Sequence, residues 1–205
     1  MRVLIGCLLI GATTFLASPS QAQQSGNFST LAYNVAGIPF EYSGANATLH
    51  TPIISCYIKP FDMVIVQEDF NWHAALYDDC DNHVYRTPTT SGIGIGDGLN
   101  TLSNFSWDDL DRVTWTKRNG ADALTPKGFS MVRTRLAQRV YVDLYNLHAQ
   151  ANTGSTDLAD SESDVEQMLS ASGLCQKARV NSWIIFARWS SSRSIQDCGE
   201  VSCWV

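Results

Sequence analysis

Short apolar runs alternate with polar segments rich in Gly, Pro, Ser and Asn along the chain. Alternating apolar and polar positions predict half-buried strands, and the nearly continuous apolar run Asp62–Gln67 predicts a strand buried on both faces. The short turn before Val140 predicts an antiparallel hairpin. The predicted strands are Phe28–Asn34, Asp62–Gln67, Leu99–Phe105, Val113–Thr116, Phe129–Arg135, Val140–Leu147 and Ser182–Ala187.

Three helices are predicted between these strands. Pro52–Ile58 has Pro at its first turn, Asn71–Tyr77 begins with Asn71 as an N-cap, and Ser161–Ser170 has carboxylates near its N-terminus. Because hairpins and strand–helix–strand units both occur, the order predicts two mixed β-sheets covered by helices rather than one all-parallel sheet.

The first 22 residues have the pattern of a secretory signal peptide. Arg2 precedes the apolar stretch Val3–Leu16, and Ser20-Gln21-Ala22 is a small-x-small cleavage site. The alternative is a buried N-terminal helix. We therefore expect a secreted, extracellular protein whose mature chain begins near Gln23 and carries N-linked glycan. The three glycosylation sequons begin at Asn27, Asn46 and Asn104.

The composition excludes or disfavours several classes of protein. Hydrophobic residues make up 44% of the 205 positions and charged residues 17%, which excludes disorder across the chain. The formal net charge of −6 disfavours a protein that binds nucleic acid by bulk electrostatic attraction. A nuclease that contacts phosphates through a metal ion is not excluded by this charge. No apolar run reaches about 18 residues, so no transmembrane segment is predicted. Asp108, Asp109 and Asp111 predict a solvated acidic turn, because the spacing of a calcium loop is absent.

Cysteine usage fits the predicted export. Six cysteines become five once Cys7 leaves with the signal peptide, and secreted proteins usually pair their thiols. We favour a bridge between Cys56 and Cys80, because both flank one predicted strand and the helix that follows it. Other pairings stay open, since connectivity cannot be read from sequence.

Three polar residues lie at the ends of predicted apolar strands: Asn34, Glu68 and His148. Such positions often form active-site rims, so we expect the three side chains to converge on one cleft. Mg²⁺ prefers carboxylate and amide oxygens and keeps waters for a substrate phosphate. Glu68 can give the carboxylate, Asn34 an amide oxygen, and His148 a hydrogen bond to a phosphoryl oxygen. The alternatives are a solvated loop carboxylate, a turn residue and a structural histidine.

Four segments, in this order, resemble the endonuclease/exonuclease/phosphatase superfamily. Leu31-Ala32-Tyr33-Asn34-Val35 and Val64-Ile65-Val66-Gln67-Glu68-Asp69-Phe70 resemble its opening, and Asp143-Leu144-Tyr145-Asn146-Leu147-His148 is similar to its central histidine-bearing strand. Ala121-Asp122-Ala123-Leu124-Thr125-Pro126-Lys127-Gly128-Phe129 resembles the segment before that hairpin in secreted neutral sphingomyelinases. The resemblance covers residues 28–187.

The resemblance implies a four-layer α/β sandwich, in which two packed sheets are flanked by helices. It also implies hydrolysis of phosphodiesters or phosphomonoesters with Mg²⁺, in which a metal-activated water attacks in line. By position, Glu68 matches the metal ligand, Asn34 the active-site amide of the first strand, and His148 the histidine that contacts the scissile phosphate.

The sequence after Ala187 departs from the family pattern. The family has a Gly-Asp-x-Asn segment here, which orients the attacking water, and an Asp-His pair further on. This chain has Arg188-Trp189-Ser190, and neither motif occurs before Val205. We therefore interpret residues 23–187 as a partial superfamily domain, incomplete at its C-terminus. Residues 188–205 are a non-family tail, from a shifted frame, altered splicing or a shortened non-catalytic protein, and the chain is expected to be inactive.

Three functions follow from these observations. The first is a secreted Mg²⁺-dependent phosphodiesterase, sphingomyelinase-like and monomeric, acting on a sphingolipid at a membrane surface. The second is a secreted endonuclease of the same superfamily, acting on nucleic acid. The third is a non-enzymatic secreted binding protein that keeps part of the fold. The acidic charge and Lys127-Gly128-Phe129 favour the lipid branch.

Overall fold

Eight strands form two four-stranded sheets in the computed structural model, which describes residues 26–90, 96–117, 125–149, 155–172 and 185–190. In the first sheet, β1 (Thr30–Asn34) and β2 (Met63–Gln67) run parallel, whereas the other pairs are antiparallel. The C-terminal ends of β1 and β2 therefore lie at the same end of the sheet. This sheet contains β1 (Thr30–Asn34), β2 (Met63–Gln67), β3 (Tyr85–Arg86) and β4 (Asn100–Ser103), in the order β1-β2-β4-β3.

The second sheet is antiparallel throughout, whereas the sequence predicts a mixed one. Its first three strands follow one another directly, and a turn at Arg139, with φ of 61°, reverses the chain between the second and third. The connection between the second and third strands is too short for a parallel crossover, so these two strands must be antiparallel neighbours. The strands are β5 (Trp107–Thr114), β6 (Gly128–Ala137), β7 (Val140–Leu147) and β8 (Ile185–Ser190), in the order β5-β6-β7-β8.

All three predicted helix starts are wrong: the helices begin at Ala47, His73 and Ser155 rather than at Pro52, Asn71 and Ser161. The helices are α1 (Phe40–Ser43), α2 (Ala47–Ile58), α3 (His73–Asp78) and α4 (Ser155–Ser172). The Asn46 side chain accepts a hydrogen bond from the Leu49 amide and caps α2 six residues before Pro52, which lies inside the helix. Trp72, not Asn71, occupies the N-cap position of α3, and no side chain caps it.

Helices cover the outer face of each sheet. Ile58 of α2 and Leu76 of α3 join the core of the first sheet, and Met168 of α4 joins that of the second. Between the sheets, Met63 of β2 belongs to the same buried cluster as Leu144 of β7. The predicted four-layer α/β sandwich is confirmed. Among the described residues, no helix is long and apolar enough to cross a membrane.

Strand bounds differ from prediction mainly at the edges of the second sheet. The acidic residues Asp108, Asp109 and Asp111 lie within edge strand β5 rather than in a turn, and all three are exposed. An edge strand tolerates such charges because only one of its sides is paired. At the other edge, β8 extends to Ser190, three residues past the boundary predicted at Ala187.

A disulfide between Cys56 and Cys80 joins α2 to the segment after α3, as the sequence predicts. The neighbouring Ser55 hydroxyl accepts hydrogen bonds from the Cys80 and Asp81 amides, at 3.0 and 2.9 Å. The bridge and these bonds together hold the two helices that cover the first sheet.

We predict that replacing both cysteines, Cys56→Ser with Cys80→Ser, lowers the free energy of unfolding by about 3 kcal/mol, because the bridge closes a loop with a sequence separation of 24 residues. Urea denaturation of oxidised protein measures the difference. The single variant Ser55→Ala, which keeps the bridge, is the control and should lose about 1 kcal/mol. Equal midpoints for the wild type and the double variant would contradict a structural role for the bridge.

Candidate active site

Asn34, Glu68 and His148 meet at one edge of the sandwich. The Asn34 amide group donates from Nδ2 to Glu68 Oε1 at 2.9 Å, and His148 Nε2 lies 3.8 Å from the same oxygen. Asn34 ends β1, Glu68 follows its parallel neighbour β2, and His148 follows β7 of the facing sheet. The structure thus brings together the three side chains that the sequence analysis selects.

The Asn34 side chain is fixed by contacts at both ends. Its Oδ1 accepts from the Ala36 amide at 2.8 Å, while its Nδ2 faces the Glu68 carboxylate. The reverse orientation would set two donors together at Ala36 and two acceptors together at Glu68, so this network determines the orientation. Asn34 therefore presents its nitrogen toward the carboxylate, while its oxygen, the predicted metal ligand, accepts from the Ala36 amide.

Glu68 has a left-handed backbone, with φ of 58°. This conformation is costly for a residue with a side chain and occurs often at functional sites. The Gly37 and Phe70 amides hold it by donating to the Glu68 carbonyl at 2.8 and 3.0 Å. A Cβ on Gly37 would lie only 2.5 Å from that carbonyl oxygen, so this approach requires glycine.

His148 is buried, with its side chain 1% exposed. Its Nδ1 lies 3.0 Å from the Asp97 backbone carbonyl, which can only accept, so Nδ1 carries a proton. Nε2 consequently faces Glu68. Arg112 fixes Asp97 in turn through an ion pair, in which Nη1 lies 2.7 Å from Asp97 Oδ2. The centre of the Phe70 ring lies 5.8 Å from the centre of the imidazole ring.

The surroundings keep Glu68 ionised. The His148 imidazole is the largest influence and lowers the pKa of the Glu68 carboxyl; Asn34 and the Lys127 ammonium lower it further, against the opposing effect of burial. Lys127 is buried, and its Nζ donates to the Ala149 carbonyl at 3.3 Å. Glu68 is therefore a carboxylate at neutral pH.

This carboxylate suits a hard cation. The Glu68 side chain is 22% exposed, and an ionised oxygen donor is the kind of ligand that Mg²⁺ takes. No group of three or more His, Cys, Asp or Glu side chains is arranged to hold a metal within the described ranges. Mg²⁺ needs only one or two carboxylates, because waters and substrate oxygens complete its shell.

Buried polar groups that no sequence pattern singles out support these three residues. Gln67 Nε2 donates to Asn146 Oδ1 at 2.6 Å and joins the two sheets directly beneath the site. In the sequence, Lys127 is noticed only as part of a segment that resembles the family. Its position between Pro126 and a predicted strand is the signal that could have identified it. No local pattern marks Gln67 or Asn146 as partners, since they lie 79 positions apart.

The three predicted glycosylation positions lie away from this network. Asn27, Asn46 and Asn104 are exposed, and the Asn46 side chain also caps α2. Glycosylation stays a prediction at all three. Residues 1–25, including the predicted signal peptide, lie outside the described residues, as does most of the predicted tail at 188–205.

Known relatives share both the sequence and the fold. Sphingomyelinases of Mycobacterium bovis and Mycobacterium tuberculosis are each 35% identical to this chain over 156 residues. The chain is homologous to these sphingomyelinases. The match covers 72% of this chain but 32% of the length of each relative, so the chain spans about a third of them. The predicted resemblance is confirmed, although no protein-family model matches the chain.

Solved structures agree on the fold of this sphingomyelinase homologue. Sphingomyelinase C from Streptomyces griseocarneus superimposes with a TM-score of 0.56 at 18% identity, covering 74% of this chain and 61% of that one. A beta toxin variant from Staphylococcus aureus, solved with bound magnesium ions, superimposes with a TM-score of 0.59 at 15% identity, covering 74% and 62%. At these identities the likeness establishes the α/β sandwich.

The left-handed backbone of Glu68 gives a stability prediction. We expect Glu68→Gly to be more stable than Glu68→Ala by roughly 1 kcal/mol, because glycine adopts this φ without a Cβ penalty. Both variants lack the carboxylate, so their difference in stability reports the cost of the left-handed backbone at residue 68. Urea denaturation at neutral pH measures it, and equal free energies of unfolding would mean that Glu68 is not strained.

The lowered pKa of Glu68 gives a pH prediction. In His148→Ala the pKa of the Glu68 carboxyl should rise toward its ordinary value, since the imidazole is the main cause of the shift. In the wild type, ionised Glu68 stabilises the fold above the ordinary carboxyl pKa, and this contribution is lost as pH falls through the lowered pKa. The variant should therefore lose less stability on acidification.

Carboxyl ¹³C titration by NMR measures the Glu68 pKa directly, and urea midpoints across the acid range measure the stability. Replacement of the exposed His50 on α2 by Ala is the control and should leave the titration of Glu68 unchanged. An unchanged pKa in His148→Ala would show that the imidazole does not act on Glu68.

Proposed function

We propose that the protein hydrolyses a phosphodiester of a sphingolipid with the help of Mg²⁺. The observation that carries the proposal is an ionised Glu68 carboxylate held between Asn34 and His148, at 2.9 and 3.8 Å, in a homologue of sphingomyelinases. Because the chain spans about a third of those relatives, the activity of the whole protein belongs to this proposal.

Each of the three residues has a distinct role. Glu68 would hold the cation, and the bound magnesium ions of the related beta toxin structure support this choice of metal. A bound Mg²⁺ supplies positive charge at the phosphoryl oxygens and lowers the pKa of a coordinated water. Asn34 orients the carboxylate through its 2.9 Å hydrogen bond, so its role here is positioning.

His148 would donate a hydrogen bond from Nε2 to a phosphoryl oxygen. Because Nδ1 keeps its own proton on the Asp97 carbonyl, donation from Nε2 requires the imidazolium form. Charge built up on the phosphoryl oxygens in the transition state would then be stabilised by a donor that is already oriented. The Phe70 ring and the Asp97 carbonyl restrict rotation of the imidazole and so preserve this orientation.

A lipid is the favoured substrate. The relatives are named for sphingomyelin hydrolysis, and the net charge of −6 disfavours a polyanion such as DNA. Aromatic side chains are also exposed close to the site in sequence: Phe40 is 62% and Tyr33 41% exposed, on either side of Asn34. Aromatic rings suit the boundary between water and lipid. Secretion is part of the proposal and agrees with the Cys56–Cys80 bridge.

We further propose that this 205-residue sequence binds the metal but does not turn over substrate. Strand β8 pairs antiparallel with β7, with Ile185 opposite Asn146 and Ser190 opposite Tyr141. Within β8, Arg188-Trp189-Ser190 therefore lead away from the end of β7 that precedes His148. The sequence after Ala187 also lacks the Gly-Asp-x-Asn pattern that orients water in the family. Loss of one member of a cooperating catalytic set typically lowers the rate by about 10³ or more.

Calorimetric titration with Mg²⁺ tests the metal site. We expect the wild-type chain to bind Mg²⁺ and Glu68→Gln to bind it at least about tenfold more weakly, because the ligand charge is removed while the side-chain shape is kept. Asp109→Asn, an exposed carboxylate on β5, is the matched control and should bind as the wild type does. Equal binding by Glu68→Gln would exclude Glu68 as the ligand.

Turnover assays with sphingomyelin vesicles and with plasmid DNA, each with Mg²⁺ or with a chelator, separate the alternatives. We expect no turnover by the 205-residue chain. Mg²⁺-dependent cleavage of sphingomyelin that Glu68→Gln abolishes would confirm the substrate and overturn the expected inactivity. Cleavage of DNA instead would establish the endonuclease alternative.

A further inference from the structure

The carboxylate next to Glu68 in sequence is buried in a network of its own. Asp69 is 3% exposed and lies behind the site, between α3 and β4. Its Oδ2 accepts from the Tyr77 hydroxyl at 2.6 Å and from the Asn100 amide group at 2.8 Å. Its Oδ1 pairs with His73 Nδ1 at 2.8 Å. Two elements of the fold, α3 and β4, are thus tied to one side chain.

The backbone of Asp69 is tied as well. Its amide donates to the Gly98 carbonyl at 3.1 Å, in the segment that leads into β4. On the other side of Glu68, the Gln67 side chain donates to Asn146 across the sheet interface. Both neighbours of Glu68 are therefore held by buried hydrogen bonds to distant parts of the chain.

This arrangement accounts for the left-handed conformation of Glu68. An L-residue in that region costs roughly 1–2 kcal/mol and persists only when the surroundings impose it. Rotation of Glu68 to a relaxed backbone would displace Asp69 and break its contacts with Tyr77, Asn100 and His73. Leaving a buried carboxylate without partners costs more than the relaxation gains.

We propose that Asp69 is a positioning residue, which locks the left-handed turn at Glu68 and so holds that carboxylate in place to receive the cation. Asp69 does not reach the cation itself, because its oxygens are occupied by protein groups and its side chain is only 1% exposed. The part of the proposal that concerns metal affinity rests on the proposed function. The part that concerns the turn does not.

Three variants test the proposal. Asp69→Asn removes the carboxylate charge and replaces one of the two acceptor oxygens by a donor, and Tyr77→Phe removes only the hydroxyl bonded to Asp69. Asp62→Asn is the matched control: Asp62 lies at the opposite end of β2, where its carboxylate accepts from the Ser29 amide and hydroxyl at 2.8 and 2.9 Å.

The first readout is hydrogen exchange of the Gly37 and Phe70 amides, which donate to the Glu68 carbonyl and report the turn directly. Exchange of the Val64 amide in β2 serves as the internal reference for global unfolding. We expect Asp69→Asn and Tyr77→Phe to accelerate the two reporter amides relative to Val64 by about tenfold or more. Asp62→Asn should leave this ratio unchanged even where it lowers the melting temperature.

The second readout is the Mg²⁺ dissociation constant. Removal of a group that orients a metal ligand typically weakens metal binding about 10–100-fold. The dissociation constants of Asp69→Asn and Tyr77→Phe should therefore rise by such a factor, and that of Asp62→Asn should not. Unchanged exchange ratios in Asp69→Asn and Tyr77→Phe, or an equal effect of Asp62→Asn on Mg²⁺, would overturn the proposal. If Asp69→Asn does not fold, Tyr77→Phe decides.

The two readouts fail separately. A wild-type chain that binds no Mg²⁺ would contradict the proposed function, while the exchange ratios would still decide whether Asp69 holds the turn.

Discussion

Parallel pairing of β1 with β2 is the constraint on which the candidate site depends. Asn34 pairs with Gln67, so the residue after β2, Glu68, lies beside the Asn34 amide, and the 2.9 Å hydrogen bond follows. Antiparallel pairing of these strands would send Asn34 to the end of the sheet where β2 begins. Parallel neighbours require a crossover of a dozen or more residues, which α1 and α2 supply between Asn34 and Met63. Helix α2, which covers the first sheet, is thus also part of the connection that creates the site.

A second constraint joins the two sheets beneath that edge. Gln67 donates to Asn146 at 2.6 Å, and Asn146 donates to the Val66 carbonyl at 2.9 Å, all within the buried interface. Because an unsatisfied buried amide costs about 1–3 kcal/mol, these bonds favour a single alignment of the sheets over others that apolar packing alone would permit. His148 lies two residues beyond Asn146, so the same alignment sets its 3.8 Å distance from Glu68. Apolar burial drives the sheets together, and the amides determine how they meet.

What the sequence predicts, and what it does not, follows from how local each signal is. The bounds of β7, Val140–Leu147, are predicted correctly, because a long apolar strand beside a short turn is a local pattern. Pro52 misplaces the start of α2, since a proline signal is stronger in sequence than the single capping side chain of Asn46. The three candidate site residues are recognisable at strand ends. The left-handed turn at Glu68 is not, because it depends on contacts such as Asp69 with Asn100, 31 positions away.

The direction of β8 determines which end of the second sheet the chain reaches after this strand. β8 enters the sheet at Ile185, opposite Asn146 and near His148, and leaves it at Ser190, opposite Tyr141. At about 3.4 Å per residue, Ser190 lies roughly 17 Å along the strand from Ile185. A β8 parallel to β7 would instead end at the edge that holds Glu68, as β1 and β2 do, and the 18 residues of α4 are long enough for the crossover this requires. A segment that follows β8 and reaches the candidate site would therefore require a reversed β8, whereas the meeting of Asn34, Glu68 and His148 requires only β1, β2 and β7.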